Sequence, residues 1–219
     1  MFQLISIIVF VCLFAALILH CIIFPAARPR RWRPVDFIRK LFSMFSMLLI
    51  EQKLSFLSVI KRLVFLLAVL SFLVLAITGF YHRLLYNTEI TGYFLVIHVT
   101  FGVVLTVCLA LLSLFWAENF RFDKNYLPRL RSFLHIQPFS GPPSDSTELL
   151  RKICFWLIFV LALPLILSSV LSMFNIFGTN WQDLLADIHR YTALAFFVIV
   201  VIYTVLFIRF KIKQELKES

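Results

Sequence analysis

Five long apolar runs constrain this chain more than any other feature: Phe2–Phe24, Leu63–Tyr81, Tyr93–Trp116, Ile153–Phe174 and Ile188–Phe210. Crossing the hydrocarbon layer of a bilayer takes about 20 predominantly apolar residues, and each run is close to or above that length. None shows sustained alternation, which favours helices over a barrel. In lipid each helix must then satisfy its own backbone polar groups. The expected fold is all-α: a polytopic membrane protein with five transmembrane helices. Composition agrees, since 62% of the 219 residues are hydrophobic and only 15% charged, outside the range of soluble domains.

The formal charge of +10 would suggest nucleic acid on a soluble protein. Here the basic residues gather in particular loops. Arg28, Arg30, Arg31, Arg33, Arg39, Lys40, Lys53, Lys61 and Arg62 separate the first two runs. Arg121, Lys124, Arg129, Arg131, Arg151 and Lys152 separate the third and fourth, and Arg209, Lys211, Lys213 and Lys217 follow the fifth. The other two loops hold Arg83 and Arg190, with Glu89, Asp183 and Asp187 nearby. The positive-inside rule puts the three basic segments in the cytoplasm and the N-terminus outside. The lipid bilayer, not nucleic acid, is the expected partner of these charges.

The first run has no Lys or Arg before its apolar core, and that core exceeds a signal-peptide h-region, so it reads as a retained helix. Residues 1–25 then form an N-terminal transmembrane helix, 26–57 a basic linker, 58–210 a four-helix bundle and 211–219 a cytoplasmic tail. Prolines and crowded like charges exclude a helix over Arg28–Pro34. Phe37–Ile50 is too short to span and reads as an interfacial helix. Pro164 falls inside the fourth run and is expected to kink it. Cys12, Cys21, Cys108 and Cys154 form no C-x-x-C or C-x-x-C-H pattern. Neither a cysteine-held iron–sulfur cluster nor covalently attached haem is supported.

Two histidines carry the chemistry. His98 lies about five residues, roughly 8 Å of helical rise, from the outer end of the third run. His189 lies near the outer end of the fifth, in Asp187-Ile188-His189-Arg190-Tyr191. An ionisable side chain at membrane depth is expensive and usually functional. His189 alone is most simply a solvated interfacial residue, and His98 is the stronger candidate because it lies within the apolar run. As a pair at one depth on antiparallel helices they suggest a shared ligand, and haem iron accepts two imidazoles. Gly102, one turn from His98, leaves room for a flat macrocycle. Arg190 and Arg83 are candidates for the haem propionates. Zinc would need further ligands at this level, and His82 is the one other histidine on this side, so zinc is disfavoured but open. His82, with Tyr81, is also a candidate for a quinone pocket or a partner contact.

Ile97-His98-Val99-Thr100-Phe101-Gly102, Ile77-Thr78-Gly79 and Asp187-Ile188-His189-Arg190-Tyr191 resemble, in order and spacing, the b-type cytochrome subunits of formate dehydrogenase (the gamma subunit) and nickel–iron hydrogenase. The resemblance covers about residues 58–210. It implies a four-helix haem-binding bundle that passes electrons between a soluble partner and membrane quinone or menaquinone. It maps the outer of the family's two b haems onto His98 and His189. The implied partner is an iron–sulfur or multihaem cytochrome c subunit on the periplasmic side of the bacterial inner membrane. The chain would then be an electron-transfer subunit and not a self-contained enzyme.

The departure from that pattern concerns the inner haem. The family uses a histidine near the start of the second span, where this chain reads Lys61-Arg62-Leu63-Val64-Phe65. It uses another fourteen residues along the last helix, where this chain has Tyr203, roughly 21 Å deeper than His189. Tyrosine can ligate haem iron, but an apolar span offers its phenolate no compensating charge. His20, near the cytoplasmic end of the first helix, has no evident histidine partner, because His135 falls in a Pro-rich loop. One haem b is therefore expected. The alternative is a non-redox membrane scaffold or assembly subunit that has lost haem. A transporter is disfavoured, since no pair of broken, charge-lined spans marks a midplane site.

Overall fold

The computed structural model describes residues 1–23, 56–121, 146–174 and 178–218. Within them the chain is helical: α1 spans Phe2–Ile23, α2 Phe56–Leu85, α3 Gly92–Trp116, α4 Ser146–Ser172 and α5 Thr179–Glu218. All five are long and apolar enough to cross a membrane, and no strand occurs among the described residues. The basic linker, the interfacial helix expected over Phe37–Ile50 and His135 lie outside the described residues.

Helix ends differ from the apolar runs in an instructive way. α5 begins at Thr179, nine residues before the run at Ile188, because a helix continues through polar residues once its interior face is apolar. His189 therefore sits ten residues into its helix and not at its mouth. α4 runs unbroken through Pro164. Between α2 and α3 the chain reverses at Asn87, whose φ of 52° is a left-handed conformation that Asn tolerates better than most residues. The backbone N–H groups of Tyr86 and Thr88 donate to the His82 carbonyl and close the end of α2.

α2 packs along α3, and α4 along α5, as two hairpins. The hairpins touch each other far less than their own partners do. α1 lies against both α2 and α5. Its Phe10 ring meets Phe80 at 5.1 Å and Phe197 at 4.9 Å, and Phe2 meets Tyr191 at 5.3 Å. The Gln3 side-chain amide donates to the Leu84 carbonyl at 2.9 Å.

The two halves of the bundle differ in character. Ala68, Leu105, Cys108, Leu112, Ile158, Ala162 and Phe196 form the core, with Tyr203 packed against it. On every helix these residues lie on the far side of the histidine level from the α2–α3 turn. Phe120 stacks on Phe155 there at 4.0 Å, and the Trp156 indole donates to the Phe120 carbonyl at 3.0 Å. At the histidine level and towards the α2–α3 turn, Thr78 and Ser168 are buried along with Phe2 and Leu185, and Ser71 is a buried polar residue on the core side. Large apolar side chains such as Leu70, Ile77, Val103 and Leu163 point outward, which suits a molecule whose solvent is hydrocarbon.

Candidate functional site

His98 on α3 and His189 on α5 face each other across the sparse contact between the hairpins. Their ring centroids are 6.4 Å apart and their planes 70° from parallel. Each ring is anchored from its own hairpin. His98 Nδ1 lies 2.8 Å from Thr78 Oγ1 on α2, and that hydroxyl donates to the Val74 carbonyl at 2.7 Å. With its proton committed to Val74, the Thr78 oxygen accepts from Nδ1–H. His189 Nδ1 lies 3.2 Å from the Leu165 carbonyl on α4, which can only accept. Both imidazoles in their neutral form thus carry the proton on Nδ1 and keep the Nε2 lone pair free.

The space around the pair is shaped by glycines and small polar groups. A Cβ on Gly79 would stand 3.2 Å from His98 Cε1, so the ring occupies room that a side chain would take. A Cβ on Gly102 would meet nothing within 4 Å, leaving the open space expected one turn from His98. Ser168 donates to the same Leu165 carbonyl that His189 uses.

Nearer the α2–α3 turn, His82 lies one turn beyond Thr78 and its ring meets Phe94 at 4.8 Å. His82 Nε2 and Arg83 Nε are buried without a hydrogen-bond partner. Tyr81 is half exposed and contacts Tyr86. Arg190 is held by Glu89 at 3.0 Å and Asp187 at 3.1 Å, so an incoming carboxylate would compete with two already in place. Among the described residues no three His, Cys, Asp or Glu side chains gather as a metal site. Tyr203, at the level where the resemblance expects an inner haem ligand, is packed against the apolar core beside Phe120 and Phe207. The structure sets His98 and His189 face to face; sequence reasoning assigned Thr78, Gly79 and the Leu165 carbonyl no task. The available signal was the Thr-Gly pair interrupting an otherwise apolar helix.

Fold and site define a class: a multi-span helical membrane protein that presents two facing imidazoles inside its bundle. Residues 58–217 match the family described as prokaryotic cytochrome b561. The chain belongs to that family, which makes it a bacterial membrane protein with a haem b electron-transfer role and agrees with the cytochrome b subunits of hydrogenase and formate dehydrogenase complexes. The match leaves α1 outside it. No curated protein and no solved structure matches the chain.

Proposed function

We propose that the protein is the membrane-anchoring cytochrome b subunit of a respiratory oxidoreductase complex, with His98 and His189 as axial ligands of a single haem b. The observation that carries this reading is the pair of facing rings, each held at Nδ1 by an oxygen of its own hairpin. Two imidazoles bonded to one metal from opposite sides stand about 6 Å apart between centres, given metal–nitrogen bonds of roughly 2.0–2.1 Å. The observed 6.4 Å fits that requirement. The open space at Gly102 and the orphaned Arg83 Nε suit a flat macrocycle with carboxylate tails. Arg83 and Arg190 would hold those tails by charge-assisted hydrogen bonds.

When bound, haem b supplies a one-electron store. Thr78 and the Leu165 carbonyl hold the two rings in the ligating tautomer, and the apolar bundle keeps water from the iron. The dense packing around Tyr203 supports one haem per chain, since the second level has side chains where a macrocycle would sit. Electrons would pass between an iron–sulfur or multihaem cytochrome c subunit on the periplasmic side and membrane quinone. With no second haem to cross the bundle, quinone would react near the histidine end, with His82 and Tyr81 as candidate contacts. The basic loops support a periplasmic N-terminus and a cytoplasmic C-terminus.

The test is a reduced-minus-oxidised spectrum of the purified protein, with pyridine haemochrome per chain. A b-type α-band and one haem are expected; a colourless protein would favour the scaffold reading. Density for a quinone or inhibitor found solely at the opposite face would refute the quinone placement.

A further inference from the structure

We infer that the Thr78–Gly79 pair is a positioning device for His98 that fixes the angle between the two axial imidazoles and lowers the potential of the haem. The inference rests on the ligation reading above and goes beyond it to what sets the ligand's orientation. Thr78 and Gly79 are consecutive on α2 and bear on neighbouring atoms of one ring edge, Nδ1 and Cε1. The Thr78 hydroxyl oxygen accepts a hydrogen bond from Nδ1–H at 2.8 Å. Gly79 lets Cε1 approach to where a Cβ would stand 3.2 Å away. Together they leave the ring little freedom to rotate about its Cβ–Cγ bond.

His189 is oriented independently, by the Leu165 carbonyl on α4. Because the two rings take their bearings from different hairpins, their planes need not align, and they stand 70° apart. The angle matters because each imidazole donates π density to one iron d orbital. Near-perpendicular rings leave two of these orbitals nearly equal in energy, and parallel rings split them. The ferric low-spin electron paramagnetic resonance signal of the wild type should therefore be strongly anisotropic, dominated by one low-field feature and not by a three-line rhombic pattern. The Nδ1–H bond to an oxygen whose own proton is engaged by Val74 also raises the basicity of Nε2. A more basic ligand favours ferric over ferrous iron and lowers the potential.

Thr78→Val keeps the shape and removes the acceptor; Thr78→Ser keeps the acceptor. In the full-length purified protein, Thr78→Val should broaden or shift the low-field feature towards the rhombic pattern. It should also raise the midpoint potential by the order of a tenfold change in the ferric-to-ferrous affinity ratio, about 59 mV for one electron. Thr78→Ser should restore both. Failure of Thr78→Val alone to retain haem, with Thr78→Ser loaded, would support the same role. Gly79→Ala leaves the hydroxyl in place and presses on Cε1, so it should move the low-field feature even if Thr78→Val does not fold. A wild-type protein without an α-band would refute the ligation reading itself. A loaded wild type whose signal and potential are unchanged in both Thr78→Val and Gly79→Ala would overturn this inference alone.

Discussion

His98 and His189 are each committed at Nδ1 to a different hairpin, which makes the pair intolerant of truncation. His98→Ala and His189→Ala should each abolish the reduced α-band while leaving the helical content measured by circular dichroism intact. Retention of the band in both would remove the ligand assignment. The ion pairs of Arg190 are a contrast. Glu89 is three-quarters exposed, and exposed pairs contribute about 0–1 kcal/mol. Glu89→Gln should therefore change the thermal unfolding midpoint little. The histidines were legible from sequence because a titratable group inside an apolar run is conspicuous. Thr78 was not, because a threonine in a transmembrane helix usually bonds its own backbone. Thr78 does that too, through Val74, and only geometry reveals the second bond.

At the scale of elements, spans are readable because lipid demands a minimum apolar length, and all five were found. Their ends were less legible. α5 extends back to Thr179 through polar residues that a hydropathy reading counts as loop, and that extension puts His189 well inside a helix. The seating of α1 was not legible at all, since its apolar surface is nearly uniform. Its contacts rest on Phe10 against Phe80 and Phe197. In water-soluble cores Phe→Ala costs roughly 3–5 kcal/mol. In lipid the vacated ring position is filled by acyl chain, and helix association draws on packing and not on exclusion from water. Phe10→Ala should therefore cost clearly less than the soluble value in a detergent-unfolding titration, yet weaken cross-linking between cysteines placed on α1 and α5. Equal cross-linking in the variant would deny Phe10 its anchoring role.

For the whole molecule, the two ends differ in what the helices bring together: facing histidines at one, a packed cluster around Tyr203 at the other. Sequence indicated that difference only through the absence of histidines at the inner level, where the structure packs Tyr203 against the apolar cluster. Tyr203→His should accordingly not raise the haem count above one per chain by pyridine haemochrome. A count of two would mean the packed end opens readily. Orientation is a separate matter, because charge in the loops decides it. A periplasm-dependent reporter fused in the α2–α3 turn should be active, and one fused in the 122–145 segment inactive.

The docking of α1 on both α2 and α5 has a consequence for how the chain is made. Spans emerge in order from the ribosome, so the α2 side of the first helix's seat forms early and the α5 side only when the last span has entered. The last helix is also the one that carries His189. Closure of the seam and the meeting of the two histidines are thus tied to the same moment of synthesis. Until then the space beside His98 on α3 is open to the bilayer on the side that α5 later covers.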